Sequence, residues 1–282
     1  MKSLKPGSRN LAIAAALLVS PLAAAQEMIP IELPDDRNLI GLGVFAVPDY
    51  YGSSNYDAAA APILRYNFGA NRYVQVLGPE ITVNLVPRKD WRAGPVLRWR
   101  ARRDDDVDDE IISRMQPVAT ATELGAFVAY HMPLTPGQPL HKVVFGADIV
   151  GNTNNVYNGA TGNLRVDYFH PFPQSVAGME LVGSIGFGLF FASNDFNRKY
   201  FGINGSDIGL FPERLGVSYD PDPSVTSIKI PFSLTTQLNP RWLMTVAGRY
   251  ERLLDDAKDS PLVEGRGDAD QWKVGVAFSY LF

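Results

Sequence analysis

Between Gln271 and Phe282 apolar and polar residues alternate with a period of two. Trp272, Val274, Val276, Phe278, Tyr280 and Phe282 share one face, while Gln271, Lys273, Gly275, Ala277 and Ser279 share the other, with Leu281 the one apolar exception. This period predicts a β-strand, and an apolar face carrying aromatics at both ends suits lipid better than a protein core. The alternation is weakest in Asn38 to Val47, where Ile40, Leu42 and Val44 alternate with Leu39, Gly41, Gly43 and Phe45 and no polar face is clear. It is plain in Ala59 to Phe68, Tyr73 to Leu77, Ile81 to Val86, Trp91 to Arg102, Thr120 to Met132 and His141 to Gly151. Leu164 to Tyr168, Gly178 to Phe191, Thr226 to Leu238 and Arg241 to Glu251 complete the set. Pro231, inside one of them, predicts a β-bulge because it removes a ladder donor.

The connections supply a second pattern. Pro48 to Asp57, Gly78-Pro79, Arg103 to Pro117, Asn152 to Ala160, Ala192 to Val225 and Leu254 to Asp270 fall at one end, and only Gly78-Pro79 among them is short. Gly69 to Arg72, Pro87 to Asp90, Pro133 to Pro139, Pro171 to Val176 and Asn239-Pro240 fall at the other. Aromatics sort by height as well, with Trp91, Tyr130, Tyr168, Trp242 and Phe282 at the short-turn rim and Trp99, Phe191, Tyr250 and Trp272 at the long-loop rim. A soluble sandwich needs neither feature, whereas outer-membrane barrels show both. The expected fold is an all-β, transmembrane, antiparallel up-and-down β-barrel of about twelve strands, with about ten as the alternative.

In such a barrel the polar face lines the lumen. Arg92, Arg98 and Arg100 share one face of their strand, so acidic lumen partners are required; Glu123, Asp148, Asp167, Glu180 and Glu251 are the candidates, with Arg65, Arg249 and Lys273 as further lumen cations.

The amino terminus places the chain. Lys2, Lys5 and Arg9 precede the apolar run Leu11 to Val19, and Ala23-Ala24-Ala25 follow Pro21, which predicts a secretory signal at 1–25, cleaved after Ala25, and a barrel domain over 26–282. The run is too short to span a membrane as a helix, and glycine, proline or charge interrupts every later apolar stretch. Without cysteine there is no disulfide, no thiolate metal site and no lipid-modified cysteine. Losing Lys2, Lys5 and Arg9 leaves 23 of the 26 basic residues against 30 acidic, a net charge of −7, which gives no case for nucleic acid as a partner.

Several stretches resemble one family. Gly41-Leu42-Gly43 running into Pro48-Asp49-Tyr50-Tyr51-Gly52-Ser53, the strand Gly94-Pro95-Val96-Leu97-Arg98-Trp99-Arg100 before an acidic run, Tyr200-Phe201-Gly202-Ile203, and Asp255-Asp256-Ala257-Lys258-Asp259-Ser260-Pro261-Leu262-Val263 are similar to the MipA/OmpV family of Gram-negative outer-membrane proteins. Asn55 stands where members often carry aspartate. The resemblance implies an outer-membrane barrel. For the founding member it further implies a scaffold joining a lytic transglycosylase to a bifunctional penicillin-binding protein in wall growth.

Candidate chemistry is sparse. Asp104, Asp105, Asp106, Asp108, Asp109 and Glu110 offer oxygen ligands without the spacing of a calcium loop, and a solvated, self-repelling loop explains them as well. The same holds for Asp255, Asp256 and Asp259. His131, His141 and His170 would lie at the periplasmic rim, away from surface chemistry, and no nucleophile elbow, zinc helix or phosphate loop accompanies them. The expectation is a non-enzymatic barrel without cofactor, in contact with outer-membrane lipid and lipopolysaccharide and acting as a scaffold. A narrow channel for small polar solutes is the alternative, and a surface adhesin or receptor a second. Phe282, with Tyr280, resembles the terminal signal read by the barrel-assembly machinery.

Overall fold

The computed structural model describes residues 37–176 and 179–282, with the side chains of 173–180 set aside. The signal expected at 1–25 and the side chain of Glu180 lie outside the described residues. The alternating segments become β1 (Leu39–Pro48), β2 (Tyr56–Gly69), β3 (Arg72–Leu77), β4 (Glu80–Asn84), β5 (Trp91–Arg100), β6 (Ala121–Pro133), β7 (Lys142–Asn152), β8 (Ala160–Val176), β9 (Met179–Ala192), β10 (Ser224–Asn239), β11 (Trp242–Leu253) and β12 (Asp270–Leu281). Each strand pairs antiparallel with its sequence neighbours, and β12 pairs with β1 to close the barrel. Closure removes the sheet edges that lipid could not satisfy.

The lipid face is read directly from exposure. In β12, Trp272, Val274, Val276 and Phe278 are exposed while Gln271, Lys273, Ala277, Ser279 and Leu281 are buried. Aromatic pairs mark the two rims: Trp91 with Tyr130 and Trp242 with Tyr280 at the short-turn end, Tyr250 with Trp272 at the other. Phe282 is exposed beside the short-turn rim, where its N–H donates to the Asn38 carbonyl at 2.9 Å.

The missing polar face of β1 has a packing cause. Ile40, Leu42 and Val44 face lipid, whereas Leu39, Phe45 and Val47 point inward and form an apolar lumen wall with Ala59, Ala61, Ile63, Leu243, Ala247, Ala277 and Leu281. Leu281 is therefore apolar because it belongs to that wall. Gly43 and Gly275 make room for the Phe45 ring: a Cβ at either would lie within 2.5 Å of it.

One expectation fails. Pro231 does not cause a bulge, because the β9 ladder keeps one register from Lys229↔Gly188 to Phe232↔Ile185 and the β11 ladder runs through Pro231↔Arg249. The register shifts fall instead at Val225/Ser227 and Gln237/Asn239. The missing donor leaves Ile230 and Pro231 unpaired with β9, but the ladder resumes in the same register, so the interruption costs pairing without adding a residue. The short Gly78-Pro79 turn is real. It tops a stunted β3–β4 hairpin, tied by Gly78 N–H to the Pro62 carbonyl at 2.8 Å and Trp99 N–H to the Pro79 carbonyl at 2.9 Å.

Candidate functional site: the capped mouth above the lumen charge network

At the long-loop end the connections fold inward. The β9–β10 loop carries α1 (Asn194–Phe201), and the β11–β12 loop carries α2 (Asp255–Lys258) and α3 (Pro261–Glu264). α1 buries Phe196, Asn197, Tyr200 and Phe201 and leaves its charged residues outward. Phe196 stacks on Tyr200 with centroids 4.4 Å apart and receives the edge of Tyr157 at 5.2 Å. Tyr51, from the β1–β2 loop, reaches Phe201 at 5.2 Å. A second apolar cluster joins Tyr50, Ile112, Met115, Ile203, Phe211 and Leu262. These buried side chains cap the mouth with cores of their own, since loop backbone at that position needs packing and internal hydrogen bonds to stay.

The ties between loops are specific. Ser260 donates its hydroxyl to the Phe201 carbonyl at 2.6 Å. Asp268 N–H donates to the Gly52 carbonyl at 2.9 Å, and the Gln271 amide donates to the Ser53 carbonyl at 2.9 Å. Gly52 has φ +103°, a conformation that favours glycine, and a Cβ there would meet Val263 at 2.7 Å. Three of the four stretches that carried the family resemblance, around Tyr50-Tyr51-Gly52, Tyr200-Phe201-Gly202 and Ser260-Pro261-Leu262, thus pack on one another in the mouth.

Beneath them lie the lumen charges. Arg100 meets Glu123 through two hydrogen bonds at 2.8 and 3.1 Å, and Tyr157 donates to the same carboxylate at 2.7 Å. The Arg100 guanidinium also sits 4.8 Å from the Phe196 ring centroid, so the buried pair supports the cap. Glu251 accepts from Arg249 at 2.7 Å, Ser227 at 2.6 Å and Tyr51 at 2.6 Å, with Lys229 at 4.0 Å. Arg98 bridges Glu80 at 2.7 Å and Asp148 at 3.0 Å, and Asn163 links Asp148 to Lys229 through bonds of 3.1 and 2.9 Å. Lys273 stands opposite Arg249 in register.

Of the expected network, Arg98, Arg100, Glu123, Asp148, Arg249, Glu251 and Lys273 therefore lie in this network or in register with it. Asp167 pairs with Arg165 at 3.3 Å, and Arg92 donates to the Arg88 and Lys89 carbonyls, fastening a short turn. Arg65 lies over the Tyr73 ring at 4.0 Å. Glu80, Lys142, Asn163 and Tyr157 were not singled out by the sequence, and Tyr51 stood out only within the stretch that carries the family resemblance. Glu80 borders a turn, and the two tyrosines come from loops without period. Among the described residues, eight buried strand cations (Arg65, Arg92, Arg98, Arg100, Lys142, Lys229, Arg249 and Lys273) face five carboxylates (Glu80, Glu123, Asp148, Asp167 and Glu251), so the lumen is basic inside an acidic chain.

The other candidates separate from this site. The Asp104, Asp105 and Asp106 carboxylates fall within 4.8 Å of one another, but Arg102 bridges Asp104 at 2.7 Å and Asp106 at 2.8 Å, which reduces what they offer a cation. Asp109 caps Ile111 and Ile112 N–H groups and pairs with Arg266 at 3.1 Å. His141 and His170 flank the Tyr168 hydroxyl at 3.2 and 3.0 Å on the outer face of the short-turn rim, far from the mouth.

Burial pushes the Asp49 carboxyl, at the base of the β1–β2 loop, above its ordinary range, although it accepts the Asp108 N–H at 3.0 Å. A raised folded pKa means that ionisation opposes folding. Stability is thus greatest below the unfolded value of about 3.9 and falls as pH rises through the folded one. Asp49→Asn keeps the acceptor without the charge, so its urea midpoint is expected above wild type at pH 7 and equal to it at about pH 3. Equal midpoints at both would exclude a desolvated charge.

A closed antiparallel barrel with a lipid-facing apolar band, two aromatic rims and loops capping one mouth defines an outer-membrane barrel protein of a Gram-negative bacterium. The family described as MltA-interacting protein MipA matches residues 40–282, and the chain belongs to it. It is 30% identical over 117 residues to outer membrane protein Omp26La of Vibrio anguillarum, a match covering 42% of this chain and 41% of that protein. Its backbone is similar to a bacterial polysaccharide outer membrane secretin, at 10% identity and a TM-score of 0.39 over 89% of this chain and 99% of that one. It is also similar to an outer membrane channel from Pseudomonas putida F1, at 12% identity and a TM-score of 0.36 over 91% of this chain and 100% of that one. Both structural likenesses are too loose to bear on function.

Proposed function

We propose that this protein is a capped, non-enzymatic outer-membrane barrel that serves the envelope as an anchored docking platform. On this reading its periplasmic turns hold a lytic transglycosylase and, through it or beside it, a penicillin-binding protein. The observation that carries the reading is the mouth, where loops from five connections share buried cores above ion-paired lumen charges. Such packing favours a fixed body over a solute path. The family description, MltA-interacting protein, supports a murein enzyme as partner. The long turn 134–141 presents exposed Leu134 and Gln138 on the periplasmic side, a surface suited to such contact. Phe282 and Tyr280, at the same rim, are the residues we assign to recognition by the assembly machinery.

Passage of small anions is the second reading, favoured by the cation excess in the lumen. Two measurements separate them. A photocrosslinker at Gln138 is expected to capture a lytic transglycosylase in growing cells, and the purified barrel is expected to be silent in planar bilayers. Steady conductance with no crosslink to a wall enzyme would reverse the assignment.

A further inference from the structure

Outside the capped core, the β5–β6, β7–β8 and β9–β10 loops enclose a surface cleft of about 230 Å³. Arg103, Arg198 and Lys199 line it together with Tyr157, Asn158 and Asn204. Arg103 is 6% exposed, and among the described residues its buried Nε has no hydrogen-bond partner while Nη1 has a long 3.3 Å bond to the Tyr200 carbonyl. A guanidinium offers five donors in a fork that matches an oxyanion. Lys199 has no partner among the described residues, and Arg198 is only loosely engaged by Asp220 at 3.5 Å. Two acids also line the cleft: Asp195, which is exposed, and Asp207, which accepts the Gln116 N–H at 2.9 Å and attracts Arg103. Three cations thus face two carboxylates, a net positive balance.

The remaining lining is that of a hydroxyl-rich ligand. The Asn158 and Asn204 side chains have no partner among the described residues, and each presents a donor and an acceptor, the pair that adjacent sugar hydroxyls need. Val156 supplies an apolar edge for a pyranose face. A cleft of this size holds one ring with a substituent and is smaller than the roughly 300–1,000 Å³ of drug-sized pockets.

We propose that this cleft is a cell-surface binding site for a phosphorylated hexose, with Arg103, Arg198 and Lys199 on the phosphate and Asn158 and Asn204 on the ring hydroxyls. The phosphosugar is borne by lipopolysaccharide or free in the medium. This site is independent of the periplasmic docking role, since it lies at the opposite end of the barrel.

Calorimetric titration of the full folded protein in detergent micelles tests it, with glucose 6-phosphate and glucosamine 1-phosphate as probes and glucose and inorganic phosphate as controls. At least one phosphosugar is expected to bind about tenfold or more tighter than either control, a difference of about 1.4 kcal/mol. Lys199→Glu is expected to weaken that binding by about tenfold or more while heat-modifiable gel migration stays unchanged. Competition by lipopolysaccharide micelles would assign the lipid-borne source, and its failure the free one. The proposal is overturned if neither phosphosugar binds below about 10 mM, if glucose or phosphate binds as tightly, or if the variant binds unchanged.

Discussion

Glu123→Leu is expected to lower stability by about 3–5 kcal/mol, the cost of leaving a buried charge without its partner. Glu123 is wholly buried, and both its oxygens are used by Arg100 while one also takes the Tyr157 hydroxyl. Leucine fills much of the volume but leaves a guanidinium stranded among Phe190 and Phe196 and frees the hydroxyl that fixes the β7–β8 loop. Glu123→Gln keeps an acceptor and should cost less. The Arg100→Leu/Glu123→Leu pair should recover part of the loss, because two apolar groups can replace a buried ion pair at little cost. Urea unfolding in detergent, followed by tryptophan fluorescence, measures all three. A single-variant midpoint equal to wild type would mean that water reaches Arg100 and that the lumen beneath the cap is wet.

That ion pair also shows what could be read from the chain alone. The placement of Arg100 and Glu123 on inner faces follows from period two, because lipid forces the opposite face of each strand to be apolar. Their direct partnership follows only from the β5–β6 register, which sets Arg98 opposite Glu123 and Arg100 one step beyond, opposite Ala121. Glu80 escaped notice because two residues of turn chemistry precede it, and β1 looked doubtful because its lumen face meets other apolar residues instead of water. Pro231 misled for the converse reason: a local rule spoke, but the β11 ladder runs through it and the β9 ladder resumes beyond it in the same register.

The cap was least legible. Tyr51, Tyr157, Phe196, Tyr200 and Leu262 have no common period, and each is buried only by residues from other loops. What the sequence did offer was the set of stretches similar to the MipA/OmpV family, three of which turned out to be neighbours in space. A resemblance scattered over three loops is the signal that a periodicity argument lacks.

Phe196 is where the cap is most exposed to test. It is fully buried, contacts Tyr157, Phe190 and Tyr200 through its ring, and lies under the Arg100 guanidinium. Phe196→Ala removes those contacts and leaves a void, at a cost of about 3–5 kcal/mol. Because the strands do not depend on this ring, the loss is expected to appear as local opening of α1 and not as unfolding of the barrel. Protease added to intact cells should then cut within 193–223 in the variant and not in wild type, while the heat-modifiable barrel persists. In planar bilayers the variant should show brief openings where wild type is silent, carried preferentially by anions because strand cations outnumber carboxylates below the cap. If the variant resists protease as wild type does, α1 is held by its neighbours and Phe196 only fills space; if it opens and passes cations instead, the lumen charges are compensated in a way the buried side chains do not account for.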